Sequence, residues 1–334
     1  MMKEIDDRLL LLFDMDGVIL SEEGYLRSVA LTMHSFIAQF FSQTHNHKSS
    51  LSGHESIDNL QAVEVLRQTI FPDKLMNAMR MKALNSNWDK AYAGTVLLGL
   101  CARDHRFSEN IGDMLYDQFQ TLSGTGQELV MRLRDMESKL CLYPISEYPT
   151  QLFEEVKRRF QQFYLGTIKT DNLFLQDGMI AHETLLCNHD ALIQCFRSLR
   201  DKDIVLGIGT GRPRSEVIKP LNSFGLLEFF DENRICTFDD IVDYEQQYGL
   251  PAYSLAKPHP HTYASIAFSY RAHQVVVIGD SPADLLAAQA AGFHFVGIGP
   301  NREAFQAKLT EDFIVIPEAT EISAILEQFR HKTC

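Results

Sequence analysis

Leu9-Leu10-Leu11-Leu12-Phe13-Asp14-Met15-Asp16-Gly17-Val18 decides how this chain is read. Five consecutive apolar residues bounded by charge predict a strand buried on both faces, because a half-buried strand would alternate apolar with polar residues. The strand ends in two aspartates one residue apart, and Gly17 supplies the positive-φ freedom that a strand exit often needs. Two carboxyl groups then stand at the carboxyl edge of a parallel sheet, where open α/β sheets bind their ligands. Taken alone, Asp14-x-Asp16-Gly17 also reads as a solvated turn.

On the carboxyl side of this stretch the pattern turns helical for a long way, from about residue 21 to 184. Tyr25, Val29, Met33, Phe36, Ile37 and Phe40 recur at the three-to-four spacing of an amphipathic helix. Further helices are predicted over 57–70, 72–84, 89–100, 108–122, 127–136 and 147–164, with Pro72 in the tolerated first turn. Between the first two helices, residues 42–56 read as a polar loop whose His45, His47 and His54 face solvent.

From Asn188 the period switches to short apolar strands alternating with helices, the pattern of a parallel sheet with crossovers. Strands are predicted over 204–208, 234–237, 275–278, 294–298 and 313–316. Helices are predicted over 189–200, 215–224, 261–270, 282–291, 303–309 and 321–329. The sheet closes only if the first strand joins it. The expected architecture is therefore a doubly wound, Rossmann-like α/β core made of residues 1–20 and 185–334, with residues 21–184 inserted as a large all-α cap.

The 334 residues suffice for two domains. A formal charge of −13 and the lack of a dense Lys/Arg run argue against a nucleic-acid or anionic-membrane surface. An anionic substrate then needs local positive charge or a metal. The amino terminus is too acidic for a signal peptide and the apolar run after it too short to span a bilayer, so a cytoplasmic protein is expected. Cys101, Cys141, Cys187, Cys195, Cys236 and Cys334 show no metal-ligand spacing and read as reduced thiols.

Three further features fall at the same sheet edge. Ile204–Gly209 runs into Thr210-Gly211-Arg212-Pro213, a hydroxyl and bare amides before a helix, which suits an anion such as phosphate. Thr210 also reads as an ordinary helix cap. Lys257-Pro258 holds its lysine extended, since proline disfavours helix at the residue before it. Val275–Ile278 delivers Gly279-Asp280-Ser281-Pro282-Ala283-Asp284, in which Ser281 caps the next helix, Pro282 fills its first turn and Asp284 returns near Asp280.

These four motifs, in this order, resemble those of the haloacid dehalogenase superfamily, specifically its aspartate-nucleophile phosphohydrolases with a cap inserted after the first motif. The resemblance covers the whole core and implies a doubly wound α/β fold, Mg²⁺ as cofactor and a small soluble phosphate ester as substrate. It implies Asp14 as nucleophile, Asp16 as acid and base, and Lys257 as the cation bridging nucleophile and phosphate. Thr210 and Gly211 would hold phosphate oxygens. Mg²⁺ would be held by Asp14, the Asp16 carbonyl and Asp280, with Asp284 behind them or as an occasional direct ligand. Asp16 disfavours dehalogenases, whose halide leaves without a proton. A phosphomutase of the β-phosphoglucomutase type shares all four motifs, and a non-catalytic binding protein of the same fold is the remaining alternative.

The insertion is larger than the compact helical cap usual in this branch. Within it, residues 122–129 resemble a substrate-specificity loop, making Thr125 and Gln127 candidate substrate contacts, and also read as a plain turn between antiparallel helices. Arg212 and Arg214 are candidates for a second anionic group of the substrate, or else belong to a solvated helix start.

Overall fold

The computed structural model describes residues 6–42, 57–84, 86–104, 110–140, 142, 149–168, 173–270, 272–299 and 314–330. The chain divides into two compact units, Met1–Glu22 with Glu183–Cys334, and Glu23–His182.

Among its described residues the discontinuous unit contains six parallel strands: β1 (Asp6–Phe13), β2 (Val205–Gly209), β3 (Ile235–Cys236), β4 (Ala272–Gly279), β5 (His294–Ile298) and β6 (Ile314–Ile316). Their order across the sheet is β3-β2-β1-β4-β5-β6. The chain thus adds strands on one side of β1 and then on the other, which makes the β1/β4 boundary a topological switch point. β1 is central, with Leu10–Phe13 in register with Val205–Ile208 of β2 and Val275–Ile278 of β4. Its unalternating apolar run now has a structural reason. Leu9, Leu11 and Phe13 join one buried cluster with Phe196, Leu199 and Val217, while Leu10 and Leu12 join another with Tyr263, Ile266 and Leu285. Helices His189–Asp201 and Arg214–Ser223 cover the first face; Phe238–Tyr248, His261–Tyr270 and Pro282–Ala291 cover the second.

The helix Phe238–Tyr248 lies where no helix was predicted. Its first turn is fixed by Asp240, whose Oδ2 accepts from Thr237 N at 2.7 Å and from Thr237 Oγ1 at 2.6 Å. The predicted helix over 321–329 is divided, into a 3₁₀ turn at Ala319–Glu321 and single turns at Ile322–Ile325 and Glu327–Arg330. The helix predicted over 303–309, the loop bearing His45, His47 and His54, and Cys141 and Cys334 lie outside the described residues. The other four cysteines are buried free thiols.

The second unit is helical throughout its described residues, with its own core. Asn87–Arg103 is buried on nearly every side, and Glu23–Ser42 and Gln151–Leu165 pack on it. Tyr25 stacks against Phe160 and Tyr164, with ring centroids 5.7 and 4.3 Å away, and these two rings stack on each other at 6.3 Å. Glu137 accepts from the Tyr92 hydroxyl at 2.5 Å and the Thr150 hydroxyl at 2.6 Å, so this polar cluster is satisfied. Among the described residues no helix is long and apolar enough to cross a membrane.

Leu11 is fully buried in the central strand, so Leu11→Ala removes transfer energy and leaves a cavity that neighbouring strands cannot fill. The expected loss is about 2–5 kcal/mol, read as a lower denaturant midpoint by circular dichroism. An unchanged midpoint would contradict the two-faced burial of β1.

Candidate active site

Three adjacent strands, β2, β1 and β4, end side by side, and the residue after each carries a polar group. Thr210 follows Gly209, Asp14 follows Phe13 and Asp280 follows Gly279. Backbone bonds hold these exits in line, with Asp14 N donating to Ile278 O at 2.9 Å and Thr210 N donating to Cys236 O at 3.0 Å. The sheet itself therefore sets the spacing of the site, as at the carboxyl edge of other open α/β sheets.

Lys257 comes from the loop before helix His261–Tyr270, and its Nζ lies 3.0 Å from Asp14 Oδ1 and 2.7 Å from Asp284 Oδ1. Burial works against the charge of Lys257, but Asp14 and Asp284 outweigh it and hold the ammonium protonated above its ordinary range. Asp284 is fully buried with both oxygens engaged. Its Oδ1 also accepts from the Tyr263 hydroxyl at 2.8 Å, and its Oδ2 accepts from Ser281 Oγ at 2.6 Å and Ser281 N at 3.3 Å. Burial, reinforced by Asp284, keeps the Tyr263 phenol protonated and hence a donor. The Lys257 ammonium also stands 4.7 Å from the centre of the Tyr263 ring, a cation–π distance. Asp284 is thus the anchor of Lys257, and Tyr263 is the anchor of both. Nothing in the sequence marked Tyr263 for this task beyond its place in a helix predicted over 261–270.

Asp14 is 8% exposed. Burial pushes its carboxyl up to about 8; Lys257 pulls the other way, and Asp284, Asp16 and Asp280 push it up further. One carboxylate oxygen from each of Asp14, Asp280 and Asp284 lies within 4.8 Å of the others. Such crowding is costly for anions in a buried setting and favourable for a hard divalent cation that takes oxygen ligands. Gly17 adds a second sign of fit. It has φ of +71°, and a Cβ there would stand 2.1 Å from Asp280 Oδ2, so only glycine lets the Asp280 carboxylate lie against this loop.

On the other flank, Thr210 is 1% exposed and its Oγ1 accepts from Arg212 N at 3.2 Å. The hydroxyl hydrogen is left for an acceptor. Gly211 beside it is exposed, with open space where a Cβ would be. Arg212 departs from expectation. Its side chain is 1% exposed and carries no free fork for a substrate anion. Nε lies 3.2 and 3.1 Å from the two oxygens of Asp16, one terminal nitrogen is 2.5 Å from Asp16 Oδ1, and the other is 3.2 Å from Glu183 Oε1 and 3.2 Å from Glu216 O. A buried guanidinium needs paired anions, and it finds them inside the protein. Glu183 had no signal in the sequence. Arg214, more exposed, stands 3.7 Å from Asp240. Thr125 and Gln127 belong to the helical unit and are exposed, Thr125 in the link between helices Ile111–Gln120 and Gln127–Glu137 and Gln127 as the first residue of the second helix.

If the cluster of Asp14, Asp280 and Asp284 holds a divalent cation, Gly17→Ala is expected to displace the Asp280 carboxylate and weaken binding of added Mg²⁺ at least about tenfold, the loss typical when a group supporting a metal ligand is removed. Calorimetric titration with Mg²⁺ checks this; unchanged affinity would remove Asp280 from the metal set.

A family model for haloacid dehalogenase-like hydrolases matches residues 9–292. Among curated proteins the chain is 30% identical over 120 residues to a pyrophosphatase, PpaX, from Bacillus pumilus, which covers 35% of this chain and 49% of that one. It is 27% identical over 135 residues to a validoxylamine A 7'-phosphate phosphatase from Streptomyces hygroscopicus subsp. limoneus, covering 40% and 56%, and 30% identical over 119 residues to a phosphoglycolate phosphatase from Haemophilus influenzae, covering 34% and 47%. The chain spans about half the length of these curated relatives. A solved X-ray structure of a structural-genomics target shares the fold with a TM-score of 0.67 at 24% identity, over 96% of this chain and 98% of that one. With the match extending from the first apolar residue of β1 through helix Pro282–Ala291, the chain belongs to the haloacid dehalogenase-like hydrolases.

Proposed function

We propose that the chain is a phosphomonoesterase that uses Mg²⁺ and forms an aspartyl-phosphate on Asp14, acting on a small soluble phosphate ester. The observation that carries this reading is the placement of Asp14 at the end of the central strand, between Thr210 and Asp280, with the Lys257 ammonium 3.0 Å from its carboxylate. A carboxylate so placed has a cation on one side and anion donors on the other, the setting for in-line attack on phosphorus.

In the first half-reaction an Asp14 oxygen bonds to phosphorus as the ester P–O bond breaks, and Asp16 gives its proton to the departing alkoxide. In the second, Asp16 takes a proton from water, the water oxygen bonds to phosphorus, and the Asp14 carboxylate is released. Thr210 and the Gly211 amide hold phosphate oxygens, and Lys257 offsets charge on both nucleophile and phosphate. Asp14, Asp280 and the Asp16 carbonyl would hold Mg²⁺, which supplies charge neutralisation on the transferring group. Asp284 serves by fixing Lys257. This division of labour follows from saturation: both Asp284 oxygens are already bonded.

A chromogenic phosphate ester and a broad panel of phosphometabolites test the reading, each assayed with Mg²⁺ and with chelator. Turnover is expected with the metal alone, and Asp14→Asn is expected to abolish it while leaving the protein folded. No turnover anywhere on the panel, or an Asp14→Asn protein retaining more than a few per cent of activity, would overturn the assignment.

We propose further that the link carrying Thr125, together with Gln127 at the start of the next helix, contributes to substrate choice. It is an exposed, shaped turn, with Gly124 and Gly126 at φ of +95° and +53° and Gly126 N donating to Lys82 O at 2.8 Å. Replacing Thr125 and Gln127 with alanine is expected to reorder the preferred esters on the panel without altering Mg²⁺ affinity. An unchanged order of preference would assign specificity elsewhere.

A further inference from the structure

Asp16 lies on a loop beyond the end of β1, where no strand fixes its side chain, yet acid–base transfer requires a carboxyl held within hydrogen-bond reach of the leaving oxygen. We infer that Arg212 is the positioning residue of Asp16, and that Glu183 in turn aims the Arg212 guanidinium; this rests on the reading of Asp16 as acid and base.

The guanidinium is fixed from every side. The Arg212 backbone is tied at both ends, its N donating to Thr210 Oγ1 at 3.2 Å and its O accepting from Phe238 N at 2.9 Å. Its side chain then runs inward to two carboxylates. The fork toward Asp16 uses Nε and one terminal nitrogen, a geometry that restricts the carboxylate plane as a single point charge does not. The other terminal nitrogen is shared by Glu183 Oε1 and the Glu216 carbonyl, each at 3.2 Å.

Glu183 is 3% exposed at its side chain and stands where the chain re-enters the sheet-bearing unit. The segments on either side of the insertion are joined there, with Ser21 N donating to Thr184 O at 2.9 Å and Leu186 N donating to Ile19 O at 3.1 Å. One guanidinium therefore ties together the loop after β1, the returning segment and the turn after β2. The two Asp16 oxygens are not equivalent in this arrangement. Oδ1 receives Nε and the terminal nitrogen, the latter at 2.5 Å, whereas Oδ2 receives Nε alone at 3.1 Å. Oδ2 is the oxygen left to carry the proton to the alkoxide and to accept one from water.

The test uses the full chain with Mg²⁺ and compares kcat/KM for 4-nitrophenyl phosphate, whose phenolate leaves without help, with that for an alkyl phosphate, whose alkoxide needs a proton. Arg212→Gln is expected to raise the aryl-to-alkyl ratio at least about tenfold, within the range acid–base catalysis supplies. Arg212→Lys, which keeps the charge and loses the fork, is expected to raise it as well. Glu183→Gln is expected to shift the ratio in the same direction by a smaller factor, and it reads out the arrangement should the Arg212 variants fail to fold. In a double-mutant comparison, adding Arg212→Gln to Asp16→Ala is expected to leave the ratio where Asp16→Ala alone puts it. If Asp16→Ala raises the ratio while the Arg212 and Glu183 variants lose activity equally on both esters, the positioning role falls and the acid–base reading stands. If Asp16→Ala itself leaves the ratio unchanged, the acid–base reading falls and the inference falls with it.

Discussion

A buried ammonium holds the acidic edge of this sheet together. Lys257 Nζ bridges Asp14 and Asp284 at 3.0 and 2.7 Å, in a setting where Asp16 and Asp280 add further negative charge. Removing one partner from such a pair leaves an uncompensated buried charge, a cost of roughly 3–5 kcal/mol. The neighbouring structure is arranged to keep the ammonium in place. Tyr263 donates to Asp284 and presents its ring to Lys257, and the Ser281 hydroxyl and amide complete the shell of Asp284. The same Ser281 and Asp284 form the capping box of helix Pro282–Ala291, so helix initiation and charge compensation are one construction.

The two halves of the edge are built differently. Thr210, Asp14 and Asp280 follow directly from adjacent strands, so their separations are inherited from strand spacing and need no side-chain support to be roughly right. Lys257 and Asp16 come from loops, and each is held by a partner of opposite charge that is itself held: Lys257 by Asp284 and Tyr263, Asp16 by Arg212 and Glu183. Loop residues lack a ladder to fix them, and ion pairs braced by outer partners take its place.

This contrast explains what was legible in the amino-acid sequence. The buried run Leu9–Phe13, the turn residue Gly17, Thr210-Gly211 and Gly279–Asp284 carry local signals: apolar runs, a glycine, a proline in a first turn, a serine cap. Those signals follow from the immediate neighbours, so helices His261–Tyr270 and Pro282–Ala291 and strand His294–Ile298 were read with their observed bounds, while β2 and β4 run one residue further, to Gly209 and Gly279, than the apolar runs that predicted them. Tyr263, Glu183 and the inward course of Arg212 depend on partners 21, 29 and 196 residues away in sequence. No local pattern distinguishes an arginine that leaves a helix start for solvent from one that turns into a buried pair. The helix Phe238–Tyr248 was missed for another reason. Its start signal, Thr237 with Asp240 three residues on, is the same kind of reciprocal cap that opens Pro282–Ala291, but no proline marks its first turn as Pro282 marks that one.

The helical unit was legible as helices and opaque as chemistry, and its packing accounts for both. Several of its buried polar side chains are paired within the unit: Glu137 with Tyr92 and Thr150, and Arg67 with Glu64, Asp73 and the Phe71 carbonyl. Helical periodicity records that self-contained core well, because each turn must present an apolar stripe to neighbours within the unit. A unit with a core of its own can change its exposed links without disturbing the strand ends that bear Asp14, Thr210 and Asp280. If exposed links set substrate choice as proposed above, the residues that do so need satisfy only solvent and substrate, which leaves no periodic or spacing constraint for a sequence to display.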